Sequence, residues 1–172
     1  MTNAELLSFI ITNFEGGFVD DPDDHGGATN YGVTAADYGE FLGLGHPASA
    51  NQVRNMTMSD AITIFQRRYI DAPGFGVVPL GTLRLVVVDS GILFGQGTAA
   101  MWLQTALGLQ ADGILGPIST AALAKLTDYR GTAQKVLVQR FRRIGRIVGH
   151  DPTQVRFVEG WLNRTAMLLE MI

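Results

Sequence analysis

Leu6, Leu7, Ile10, Ile11 and Phe14 recur at helical spacing near the start of the chain, and Thr2-Asn3-Ala4-Glu5 sets a capping-box signature just ahead of them. The pattern predicts a helix over about residues 3 to 15, with Glu15 in its last turn and Gly16-Gly17 as a left-handed stop. The next stretch, through Tyr31, is rich in Gly, Asp, Asn and Pro and predicts a loop with a short hairpin. Thr34-Ala35-Ala36-Asp37 opens a short helix that Gly43 and Gly45 close; Ile62, Phe65 and Tyr69 mark another behind Ser59 and Asp60. Residues 72 to 81, APGFGVVPLG, read as a linker. Further helices are predicted over roughly 82 to 94, 98 to 107, 117 to 126, 132 to 148 and 152 to 170. Pro117 and Pro152 fall at first helical positions, where the missing N–H has no helical partner to lose. No repeat or low-complexity tract interrupts this pattern, so the fold class is mainly α.

Composition narrows the picture. At 172 residues, 47% hydrophobic and 17% charged, the chain suits a single compact unit, with two lobes sharing a core as the larger arrangement it could hold. The absence of cysteine excludes disulfides, thiolate catalysis and cysteine-ligated zinc. The start, MTNAELLSFIITNFEGG, has no basic n-region and carries Glu5 inside its apolar segment, so a protein made in the cytoplasm without a recognisable signal peptide is expected. From Ser90 to Ala111 no residue is charged, a stretch long enough to span a bilayer. Gln96, Gln104 and Gln110 interrupt it, and each unpartnered buried amide would cost about 1–3 kcal/mol, so core helix is the expectation and membrane insertion is not.

Charge is distributed unevenly. Residues 1–90 hold four Lys/Arg against eleven Asp/Glu, a net of −7, whereas residues 91–172 hold nine against five, a net of +4. The basic half reads either as a solvated helix face or as a lobe that meets an anionic polymer; Arg140, Arg142, Arg143 and Arg146 fall within two turns of one another. Without aromatic interleaving, and with an acidic chain overall, nucleic acid is not an expected partner.

The acid is concentrated in FEGGFVDDPDDHGGATNYGVT, residues 14 to 34. Asp21, Asp23 and Gly26 match the start of a calcium loop, but His25 and Gly32 fall where oxygen ligands belong. His25, His46 and His150 lie far apart with no zinc pattern, so neither a metal nor a cofactor is expected. What remains is carboxylate chemistry. Glu15, at the end of an apolar helix and directed into a partly desolvated cleft, would hold a proton near neutrality and could donate it to a glycosidic oxygen. Asp24, on the better solvated loop, would stay ionised and steady an oxocarbenium-like transition state or activate water, with Thr29 five residues beyond. The alternative is a plain helix end followed by an Asp-Pro-Asp-Asp turn.

The same stretch closely resembles the N-terminal signature of glycoside hydrolase family 108, peptidoglycan N-acetylmuramidases with a lysozyme-like fold. VVDSGILFGQGTAAMWLQTALGLQADGILGPIST and FVEGWLNR are similar to the peptidoglycan-binding region joined to that catalytic part. The resemblance implies a lysozyme-like catalytic lobe over 1–90 and a helical peptidoglycan-binding lobe over 91–172. It implies Glu15 as general acid, with Asp24 and Thr29 as its catalytic partners and Asn30 and Tyr31 lining the cleft. Phe18 stands where the family often has Tyr, Leu93 where it often has Asn, and Ser119 where Thr is usual. Trp102 and Trp161 could stack on sugar rings, although both sit among aliphatics at core spacing. DGILGP, residues 112 to 117, either touches glycan or only positions helices. The expected function is cleavage of the β-1,4 bond between N-acetylmuramic acid and N-acetylglucosamine by a monomer, in the periplasm or cell wall after holin-type or other non-classical release. A lytic transglycosylase using the same glutamate and a non-catalytic wall-binding or secretion-accessory protein are the alternatives.

Overall fold

The computed structural model describes residues 1–20 and 27–172. The chain is mainly helical, in keeping with the lysozyme-like α fold expected, and its contacts form two compact units, Met1–Arg68 and Tyr69–Ile172.

In the first unit, α1 (Asn3–Phe14) begins with the full capping box: Glu5 N–H donates to Thr2 Oγ1 (3.2 Å), and Thr2 N–H donates to Glu5 Oε2 (2.7 Å). Leu6, Leu7, Ile10 and Ile11 are buried and face α4 (Met58–Gln66). The helix does not end on left-handed glycines. Glu15 itself leaves the helix in extended conformation (φ −101°, ψ 144°), its N–H still bonded to Ile11 O, and neither Gly16 nor Gly17 has positive φ.

Two short antiparallel strands follow, β1 (Thr29–Asn30) and β2 (Val33–Thr34), with Val19 pairing Thr29 on the outer side. Tyr31 (φ 53°) and Gly32 (φ 74°) form the two-residue turn, the positive-φ pair that matches the twist of a tight hairpin. Helix α2 (Ala35–Phe41) is capped by Thr34, which accepts from Asp37 N–H, and ends in a Schellman turn: Leu44 N–H bonds Gly39 O and Gly43 N–H bonds Glu40 O. A Cβ at Gly39 would run into the carbonyl of His46, so glycine is what lets the returning loop close on α2.

Helix α3 (Ala50–Arg54), which the periodicity does not predict, starts on a Ser49/Gln52 capping box. The next capping box, Thr57/Asp60, starts α4 two residues ahead of the position expected from Ser59. A wide π turn over Arg67–Asp71 ends this run.

In the second unit, α5 (Thr82–Phe94) is buried continuously from Leu83 to Gly91 and packs against α6 (Gln96–Ala106) and α8 (Tyr129–His150). Its aliphatic residues cover most of its circumference, as in a core helix, and its buried polar residues Arg84 and Asp89 are paired. Gly95 (φ 92°) separates α5 from α6, and among the described residues no helix is long and apolar enough to cross a membrane. Residues Pro152–Phe157 are a 3-10 segment, and only Val158–Glu170 is α-helix (α9); α7 spans Pro117–Ala124.

Three polar knots hold this unit. Arg84, pulled below its usual range by burial, donates to Val78 O (2.6 Å) and Gly76 O (2.7 Å). Asp89 on α5, fully buried, accepts from Arg140 on α8 (2.5 Å) and Arg164 on α9 (2.9 Å). Burial pushes the Arg140 guanidinium down, its Nε and Nη2 have no hydrogen-bond partner among the described residues, and its carbon lies 5.4 Å from the centroid of the Phe94 ring. Gln104 on α6 donates to Asp112 Oδ1 (2.6 Å), Ile114 O and Ser119 Oγ and accepts from Gly113 N–H, so one buried amide organises the DGILGP loop.

Candidate active site

Glu15 stands at the exit of α1, half-buried, and its extended backbone carries the side chain toward the hairpin turn. The approach is close: a Cβ added at Gly32 would lie 2.7 Å from Glu15 Oε2 and 3.1 Å from its Cδ. A glycine is thus required twice at this point, for its positive φ and for the space the carboxyl occupies.

The turn is itself anchored. Asn30, 5% exposed, donates its side-chain amide to the carbonyls of Val53 (3.1 Å) and Arg54 (3.4 Å) in the last turn of α3. Val53 O also accepts from Met56 N–H (3.2 Å), so the Asn30 amide joins a helix end that the chain itself is already closing. The Arg54 guanidinium in turn stacks on Phe18 with its carbon 4.2 Å from the ring centroid. The short helix α3 therefore grips both chain segments that flank Glu15: the loop after α1 through Phe18 and the hairpin through Asn30.

Of the residues singled out in the sequence, Glu15, Thr29, Asn30 and Tyr31 come together here. Thr29 is half-buried in β1, opposite Thr34, and Tyr31 is half-buried in the turn. Asn30 directs its amide to backbone, a positioning task. Asp24 lies outside the described residues. Trp102 is in the second unit, 7% exposed, its ring 5.3 Å from that of Phe94, which is the core packing its spacing allowed. Trp161 packs at 5.8 Å on Phe157. A separate groove of about 430 Å³, lined by Asp37, Glu40, Phe41, Ile64, Arg67 and Arg68, holds none of the motif residues. Its walls are tied by the Arg68–Asp37 ion pair (2.5 Å). Among the described residues no cluster of His, Asp or Glu could hold a metal ion.

Sequence reasoning missed α3 and with it Arg54. The capping box at Ser49-x-x-Gln52 was the available signal, but five helical residues are too few to show a period.

The Glycosyl hydrolase 108 family matches residues 9–95, half of the chain, and the chain belongs to that family; it is a glycoside hydrolase. The description "Predicted Peptidoglycan domain" matches residues 98–166, so the two together define a hydrolase of peptidoglycan. Among solved structures, that of Brucella abortus SagA is similar, at 26% identity over 98% of this chain and 91% of that one, with a TM-score of 0.73. No curated protein sequence matches the chain.

Proposed function

We propose that the protein is an N-acetylmuramidase that hydrolyses the β-1,4 bond between N-acetylmuramic acid and N-acetylglucosamine, with Glu15 as general acid. The observation that carries this reading is the contact of the Glu15 carboxyl with the turn at Gly32, which holds an acid at the mouth of the hairpin. Glu15 donates its proton to the glycosidic oxygen as the C–O bond breaks, and the anomeric carbon passes through an oxocarbenium-like state. A water oxygen then bonds to that carbon and gives up a proton to a carboxylate, completing the hydrolysis. Asp24 is the proposed second carboxylate, and Thr29, on β1, is proposed as a further catalytic partner. Tyr31 is proposed to contact the sugar from the turn. The polymer lies in the periplasm or cell wall, and the reaction is proposed to occur there.

Turbidity clearance of purified sacculi tests the assignment. Wild type should clear them and Glu15→Gln, which keeps the shape without the acidic proton, should fall by two orders of magnitude or more, as expected for loss of general acid catalysis, about 10²–10⁴-fold. Equal clearance by both proteins would sink it. Mass spectrometry of the products should show reducing ends; 1,6-anhydro ends would reassign the reaction to a transglycosylase.

A further inference from the structure

We propose that Arg54 is a specificity-determining residue, which binds a carboxylate carried by the muramoyl unit of the substrate. This rests on the muramidase reading and deepens it by naming how the site senses the charge that separates peptidoglycan from a neutral aminosugar polymer.

The geometry comes first. Arg54 holds its guanidinium carbon 4.2 Å over the ring of Phe18, three residues beyond Glu15. An aromatic ring takes up none of the in-plane N–H donors as a conventional acceptor, and their fork matches a carboxylate. The residue is exposed, and no carboxylate among the described residues pairs with it. Its backbone carbonyl receives the Asn30 amide at 3.4 Å, so the same residue is tied to the hairpin that closes on Glu15. A pre-stacked arginine loses less freedom on binding than a free one.

Charge supplies the second argument. The first unit carries three arginines against nine Asp/Glu, a net of −6, which repels an anionic strand. Arg68 is engaged by Asp37, and Arg67 lies 5.5 Å over Phe41 beside the separate groove. That leaves Arg54 as the cation next to the motif among the described residues. Every second sugar of peptidoglycan bears a lactyl ether whose carboxyl is either free or extended by a peptide stem with its own carboxylates. Both sources present the same chemistry to a guanidinium.

Solubilised glycan strands test this, used with native carboxylates and with the carboxylates converted to amides. Wild type should lose about tenfold in KM on amidation, the worth of one charge-assisted hydrogen bond, with kcat within about twofold. Arg54→Gln should show that tenfold loss on native strands and be insensitive to amidation, while Arg54→Lys recovers part of it. Strands stripped of peptide by an amidase separate the sources: a retained Arg54 effect assigns the lactyl carboxylate, and its loss assigns the stem. Independent, multiplying effects of Arg54→Gln and amidation, or an unchanged KM, would overturn the proposal. A fall in kcat with a lowered melting temperature would overturn it in favour of a purely structural role. Failure of the muramidase reading shows separately, as clearance retained by Glu15→Gln.

Discussion

Gly32 and Glu15 occupy each other's space: the position of a Cβ on the turn glycine lies 2.7 Å from the carboxyl oxygen of the glutamate. Because the clash meets the end of a flexible side chain, the fold can survive a methyl there, but the carboxyl cannot stay where it is. Gly32→Ala should therefore cost stability only modestly, about 1–2 kcal/mol from the positive φ. Clearance of sacculi should fall much further, by tenfold or more, because a misplaced catalytic group loses rate steeply. Parallel thermal melts and clearance assays check the split; a proportionate loss in both would mean that the contact does not matter for activity.

Asn30 holds the hairpin to α3 by donating one buried amide to two helix-end carbonyls. Asn30→Ala removes both hydrogen bonds from the hairpin to α3 and should destabilise the first unit by about 1–3 kcal/mol. Asn30→Asp should be worse at neutral pH, since a carboxylate would face two carbonyl oxygens. Its burial raises the carboxyl pKa, so the neutral acid, which can donate, is favoured as pH falls. Urea melts should show Asn30→Asp regaining stability relative to Asn30→Ala between pH 7 and 5; a constant gap would refute the hydrogen-bond account.

These anchors explain which parts of the protein the sequence revealed. Helix α1 was legible because apolar residues repeat over twelve positions behind a capping box, and the motif around Glu15 carries its own signature. The end of α1 was not: Glu15-Gly16-Gly17 looks like a glycine stop, yet the glutamate makes the break, and only the hairpin opposite it gives that conformation a purpose. Helix α3 is too short for periodicity, and the Arg54–Phe18 stack joins residues distant in the chain. Arg140 read as one of four surface arginines because its spacing fits an exposed face. Burial sorts it from Arg142, Arg143 and Arg146, and that depends on Asp89 arriving from another helix.

Asp89 is the shared counter-ion of two arginines, one of them fully buried. Asp89→Asn keeps the volume and removes the charge that faces the fully buried Arg140 guanidinium. Breaking one side of a buried pair costs about 3–5 kcal/mol, a large fraction of a typical domain's stability of about 5–15 kcal/mol. The triple replacement of Asp89, Arg140 and Arg164 by apolar residues of similar volume should be far less harmful than the single change. Denaturant titrations of both variants test this, and a mild Asp89→Asn would show that water reaches the cluster.

Acid sensitivity should trace to the carboxylates that accept backbone hydrogen bonds. Asp112 is held below the ordinary carboxylate range first by the Ile114 N–H and then by the Gln104 amide; Asp151 is held down by Thr153 and Gln154, and Glu5 by Thr2. A group whose folded pKa is depressed contributes stability that is present above its unfolded value, about 3.9 for aspartate, and lost as pH falls through the folded one. The window therefore opens near pH 4 and extends below it, while stability near neutrality is untouched. Asp112→Asn should flatten the acid limb of the stability curve, and Gln104→Leu should move the Asp112 titration upward by removing one of its donors. NMR titration of the Asp112 carboxyl carbon in wild type and in Gln104→Leu reads the shift directly; an upward move in Gln104→Leu is required, because the Ile114 N–H alone would otherwise account for the depression.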